Sequence, residues 1–127
     1  MTDNRSDGSH KRVLVVDDED KFRYLAKKNL AMRGFTVDVA EASEEAIAQI
    51  YKCNPSVVLL DVMMPGLTGD ELVKMITDWR PEIKVIMVTA HLNQEAEEEC
   101  YRNGAYAYIQ KPVDFDKISE MIKEATL

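Results

Sequence analysis

A doubly wound α/β domain, one five-stranded parallel sheet between two layers of helices, is predicted by three features of this chain. Short apolar runs alternate with helical amphipathic patterns over nearly its whole length, three of those runs contain no polar residue, and Gly, Pro or capping signals stand at the joints. Strict alternation of strand and helix requires right-handed crossovers, and hence a parallel sheet covered on both faces.

Each element has its own warrant. The first strand is Val13-Leu14-Val15-Val16, apolar throughout as a strand covered on both faces must be. In the helix after it, Phe22, Leu25, Ala26 and Leu30 share a face, and Gly34 supplies a left-handed stop. Val37-Asp38-Val39-Ala40 carries a charge within its alternation and reads as an edge strand. Ala46, Ile47, Ile50 and Tyr51 form the apolar face of the second helix, with Ser43 as N-cap and Pro55 beyond its end. Val57-Val58-Leu59-Leu60 is the third strand. Thr68-Gly69-Asp70-Glu71 has the spacing of a capping box and opens a helix that buries Leu72, Val73, Ile76 and Trp79 before Pro81 bars continuation. Gly66 and Gly69 serve the turn and the entry to that helix.

Val85-Ile86-Met87-Val88 is the fourth strand. The fourth helix, about residues 93–103, offers only Leu92, Ala96 and Cys100 as a thin stripe before Gly104, while Glu95, Glu97, Glu98 and Glu99 crowd its other turns. Such weak anchoring makes a helix easy to shift. Tyr106-Ala107-Tyr108-Ile109 is mixed and forms the other edge. The last helix starts near Asp114 and buries Phe115, Ile118, Ile122 and Ala125. Placing the three dry strands centrally gives the order 2-1-3-4-5, the flavodoxin-like plan.

The 127 residues suffice for one domain. Sixteen basic against twenty-three acidic residues give a net charge of −7, which argues against direct binding of nucleic acid or anionic membrane. No apolar run approaches the ~20 residues of a membrane span, and residues 1–10 lack the apolar core of a signal peptide; a cytoplasmic setting is expected. Those ten residues read as a flexible tail, leaving one domain over 11–127. Cys53 and Cys100 are too few for a disulfide framework and have no metal-ligand spacing.

In open parallel sheets chemistry collects beyond the carboxyl ends of the strands. Strand one ends in Asp17-Asp18, strand three in Asp61, strand four in Thr89, and strand five leads through Gln110 to Lys111-Pro112. Singly, each has a plain explanation: a helix cap, a loop acid, a β-branched strand residue, a solvated lysine. Their convergence on one rim does not. Two carboxylates ~4 Å apart repel by ~4 kcal/mol at an effective dielectric of 20, so three require a proton or a cation among them. An oxygen-only donor set suits Mg²⁺ or Mn²⁺. A carboxylate nucleophile beside such an ion, with an ammonium and a hydroxyl opposite, is equipped to accept a phosphoryl group. No G-x-x-x-x-G-K-[ST] loop occurs, so a nucleotide is not the obvious donor.

The motifs Val13-Leu14-Val15-Val16-Asp17-Asp18, Leu59-Leu60-Asp61-Val62-Met63-Met64-Pro65-Gly66, Val88-Thr89-Ala90 and Lys111-Pro112 together resemble the receiver domain of bacterial two-component response regulators, over about residues 11–127. The resemblance implies a CheY-like phosphorylation switch rather than a turnover enzyme, catalysing only its own phosphoryl transfer and dephosphorylation. Asp61 would take the phosphoryl group from a phosphohistidine on a sensor histidine kinase or phosphotransfer protein. Asp17, Asp18, Asp61 and the Met63 backbone carbonyl would hold Mg²⁺. Lys111, Thr89 and Ala90 would take the phosphoryl-binding positions, with a cis bond between Lys111 and Pro112. Thr89 and Tyr108 would carry the change to helix four, strand five and helix five, the surface read by a downstream partner.

Met63 and His91 fall at the positions that tune dephosphorylation; the apolar Met63 implies slow self-dephosphorylation, whereas for His91 the plainer reading, a solvent-exposed loop residue without a role, is preferred. The oligomeric state is left open. Met1 and Leu127 lean toward a stand-alone regulator over a receiver cut from a longer protein. The rival from another class is a phosphohydrolase of the haloacid dehalogenase type, whose pattern puts an Asp-x-Asp nucleophile at the end of strand one; here Asp17-Asp18 is followed by Glu19-Asp20, strand three supplies the isolated Asp61, and no cap insertion is present. A degenerate receiver acting only as a docking surface is disfavoured because all five chemical positions are filled.

Overall fold

Apolar side chains on both faces of a strand force helices to pack on both sides of it, and the molecule is built on that requirement. The computed structural model describes residues 11–63 and 67–127. In chain order the elements are β1 (Arg12–Val16), α1 (Asp20–Met32), β2 (Thr36–Ala40), α2 (Ser43–Cys53), β3 (Val57–Asp61), α3 (Gly69–Trp79), β4 (Lys84–Thr89), α4 (Gln94–Arg102), β5 (Ala107–Gln110) and α5 (Phe115–Ala125). All four pairings are parallel and the strand order is β2-β1-β3-β4-β5. The expected flavodoxin-like topology is the observed one.

Alternation along each strand divides the core in two. Leu14, Val16, Val58, Leu60, Val85 and Met87 meet Ala46 and Ile50 of α2, Leu72, Val73 and Ile76 of α3 and Cys100 of α4. Val13, Val15, Val57, Leu59, Ile86 and Val88 meet Ala26 and Leu30 of α1 and Ile118 and Ile122 of α5. On β5 the same division sends Tyr108 to the first cluster and Ala107 and Ile109 to the second.

Several local expectations hold. Gly34 adopts φ 94° after α1, Glu71 accepts from the Thr68 backbone N–H at 3.0 Å as half of the capping box, and Asp114 Oδ1 caps α5 by accepting from Asp116 N–H at 2.9 Å. Others fail for physical reasons. Ser43 is the first residue of α2, not its N-cap, which is Ala42; the Glu45 carboxylate instead accepts the Glu41 N–H at 2.8 Å, tying down the entry to the helix. Tyr51 is 75% exposed although its neighbour Ile50 is fully buried, because one helical step turns it about 100° away from the face that α2 lays on the sheet. Trp79 is 40% exposed and lies under the Arg80 guanidinium, 4.7 Å from the ring centre, instead of in the core. Leu92 precedes α4 and is 56% exposed, leaving Cys100 as that helix's one fully buried residue. Residues 1–10, Met64 and Gly66, for which a tail and a turn are expected, lie outside the described residues.

Candidate functional site

The sheet's hydrogen bonding continues one residue past the strands and so delivers the polar side chains to one rim. Asp17 follows β1, and its N–H donates to Ala40 O at 3.1 Å. Asp61 is the last residue of β3, in register with Val88, and the next amide, Val62 N–H, donates to Val88 O at 3.2 Å. Thr89 ends β4, and Lys111 N–H donates to Thr89 O at 2.7 Å just beyond β5. The Lys111–Pro112 bond is cis, as the resemblance implies. Gly69 lets α3 start beneath this rim: a Cβ there would stand 2.7 Å from Val62 Cα and 2.8 Å from Asp61 O, so no side chain fits.

Asp17, Asp18 and Asp61 each place a carboxylate oxygen within 4.8 Å of the others. Asp17 and Asp61 are buried and Asp18 is exposed. Asp17 Oδ1 accepts the Glu19 N–H at 2.8 Å and its carbonyl accepts from Arg23 Nη1 at 2.7 Å. Asp61 Oδ1 accepts the Met63 N–H at 3.1 Å. The compensating cation is Lys111, whose Nζ donates to Asp17 Oδ2 at 2.7 Å and Glu19 Oε1 at 3.0 Å and stands 3.9 Å from Asp61 Oδ2. The face of Phe22 supports the ammonium at 4.4 Å.

Charge and burial are in conflict here. Burial pushes the Asp61 carboxyl up to about 6; the Met63 amide opposes this, Asp17 and Asp18 reinforce it, and Lys111 offsets them in part. Burial alone would lower the Lys111 ammonium, but its bonds to Asp17 and Glu19 and the nearby Asp61 charge outweigh that and hold it above its ordinary value. Three oxygen donors this close, with one lysine for balance, match a hard divalent cation in type and charge.

A cavity of about 430 Å³ opens over Asp61, and its walls include Met63, Thr89, Ala90, His91, Tyr108 and Lys111. The Thr89 hydroxyl donates to His91 O at 3.0 Å and accepts the His91 N–H at 3.2 Å, which binds it to its own loop. Tyr108 is 8% exposed. Burial raises its phenol above the ordinary range. Tyr108 packs into the core cluster on the α3–α4 side of the sheet.

All the site residues predicted from sequence therefore share one rim, with Met63 and His91 exposed at its mouth. Sequence reasoning passed over Glu19 and Phe22 as partners of Lys111. Glu19 had a signal, its place in the acidic run directly after Asp17-Asp18; Phe22 was read only as part of an apolar face.

Five parallel strands in this order, with this acidic rim, define a CheY-like receiver fold. Residues 13–123 match the family model for the response regulator receiver domain, and the chain belongs to that family. It is 35% identical over 113 residues to the DNA-binding transcriptional regulator NtrC of Salmonella typhimurium, covering 89% of this chain and 24% of that protein. It is 36% identical over 113 residues to a cyclic di-GMP phosphodiesterase of Thermotoga maritima, covering 89% of this chain and 30% of that one. Among solved structures, a CheY-like receiver domain protein from Methanospirillum hungatei superposes with a TM-score of 0.84 at 33% identity, covering 91% of this chain and 96% of that one. The chain spans about a quarter of the length of the NtrC relatives it matches.

Proposed function

We propose that this receiver works as a phosphorylation-operated switch with Asp61 as the acceptor. A carboxylate oxygen of Asp61 attacks the phosphorus of a phosphohistidine on a sensor histidine kinase or phosphotransfer protein. The P–N bond breaks, its electron pair stays on the donor imidazole, and an acyl phosphate forms on Asp61. Asp17, Asp18, Asp61 and the Met63 backbone carbonyl would hold Mg²⁺ or Mn²⁺. The chemistry supplied by the bound ion is neutralisation of the rim and of the charge on the transferring group.

Lys111 then pairs with phosphoryl oxygens beside the Ala90 backbone. Thr89 gives up its loop partner His91 to bond the phosphoryl group, and Tyr108, packed next to it, passes the change to the face of α4, β5 and α5, where a downstream protein reads it. The Met63 thioether cannot orient an attacking water as a polar side chain could, which favours slow loss of the phosphoryl group; His91, lining the same cavity, is the second tuning position. Catalysis ends with the domain's own phosphoryl transfer and hydrolysis.

The observation that carries this reading is the placement of Asp61: a buried carboxylate on the cavity, 3.9 Å from an ammonium and clustered with two further carboxylates. Incubation with acetyl phosphate and Mg²⁺ should add one phosphoryl mass to the wild-type chain and none to Asp61→Asn. Mass gained by the variant, or by the wild type in excess chelator, contradicts the assignment.

A further inference from the structure

Glu19 has a side chain whose contacts its backbone position does not require. It is the N-cap of α1, where a Ser, Thr, Asp or Asn side chain usually accepts a bond from the first turn, yet its carboxylate makes no such bond. Oε1 accepts instead from Lys111 Nζ at 3.0 Å, from a residue 92 positions away in sequence. The ammonium's other bond, 2.7 Å long, goes to Asp17, and Asp61 at 3.9 Å is outside hydrogen-bonding range. Lys111 therefore rests on the β1–α1 side of the rim, against Phe22, with the acceptor carboxylate the farthest of its three ion-pair partners.

We propose that Glu19 is a positioning residue that holds Lys111 in this resting place and competes for its ammonium with a phosphoryl group on Asp61. The proposal rests on the reading of Asp61 as acceptor. A contact shifts an equilibrium only by the difference between its strengths in the two states. The Lys111–Glu19 bond is made in the resting site, and a phosphoryl group on Asp61 draws the ammonium away from it. The bond thus favours the unmodified form. Because the Glu19 side chain is 64% exposed, the restraint is weak, in keeping with an ion pair that solvent screens and that must break at every cycle.

Beryllofluoride with Mg²⁺, titrated into the full chain and followed by backbone amide NMR shifts, reads the competition directly. Glu19→Gln should tighten binding about two- to fivefold, the factor an exposed ion pair represents. Glu19→Asp keeps the charge but is a methylene shorter, and should tighten it by a similar factor. In a Lys111→Met background the gain from Glu19→Gln should vanish. Unchanged affinity in Glu19→Gln overturns the proposal. So does Glu19→Asp matching the wild type while Glu19→Gln tightens, or an equal gain in the Lys111→Met chain, since either makes Glu19 a mere distant charge. If Lys111→Met binds too weakly to titrate, the Glu19→Asp comparison decides alone. A wild-type chain that takes up no beryllofluoride, or an Asp61→Asn chain that still does, overturns the acceptor reading itself, and Glu19's role with it.

Discussion

Asp61 ends a strand buried on both faces, so its carboxylate leaves water without a full set of partners: the Met63 amide serves one oxygen, and Lys111 stands too far from the other to bond it. Burial accordingly raises its carboxyl to about 6 from 3.8. Between those values the native chain holds a proton that the unfolded chain has released, so stability falls as pH rises through this window and the full penalty applies above pH 6. In magnesium-free buffer, Asp61→Asn should therefore have a higher Tm than the wild type at pH 7.5. The advantage should shrink as pH falls through 6 and disappear near pH 4. Thermal melts across that range test the sign; a variant no more stable at pH 7.5 contradicts it. The position of Asp61 was legible in the sequence as the first polar residue after a dry strand. Its charge state was not, because that depends on burial and on groups that the ends of three separate strands, β1, β3 and β5, bring around it.

Helix α4 differs from α3 in how it is held, and the difference runs along its length. Its N-terminal half has an Asn93 cap, with Oδ1 accepting the Ala96 N–H at 3.0 Å, and the exposed Leu92 beside it. Its C-terminal end is pinned to α3: Asn103 Nδ2 donates to Asp70 O at 3.0 Å and Thr77 Oγ1 donates to Asn103 O at 2.9 Å. Gly104 fits that join at φ 110°, where a Cβ would come within 2.7 Å of Thr77 Oγ1. By contrast α3 buries Gly69, Leu72, Val73 and Ile76, from its first residue through its second turn and beyond. Amide exchange in the unmodified domain should be fastest in the first turns of α4, slower toward residue 102, and slowest in α3. Uniform protection of α4 at the level of α3 would remove the physical basis for a shift about its pinned end. Element type was legible wherever a strong local signal existed, such as the Thr68–Glu71 box. Ser43 and Trp79 misled because a cap or an apolar face read from one element ignores what its neighbours can cover.

Across the whole molecule, topology was legible because alternation and the positions of dry strands depend only on local composition, and parallel connection then leaves few arrangements. Contacts between distant segments, such as Lys111 with Glu19 and Phe22, had no such local trace. The rim they form links binding to the stability of the entire domain. Asp17, Asp18 and Asp61 are brought together only by folding, so a divalent cation that bridges them binds the native state and scarcely the unfolded chain. At a free concentration about ten times its dissociation constant, such a ligand stabilises by about 1.4 kcal/mol, or about 4–8 °C in Tm for a domain near this size. Mg²⁺ should raise the melting temperature by that order, and excess chelator should reverse the rise. Asp18→Asn should abolish most of it without unfolding the chain, because Asp18 is the exposed member of the three and leaves the buried Asp17–Lys111 pair intact. A melting temperature indifferent to Mg²⁺ would mean that the three carboxylates are held by Lys111 alone, and the acidic rim would have to be understood without a metal.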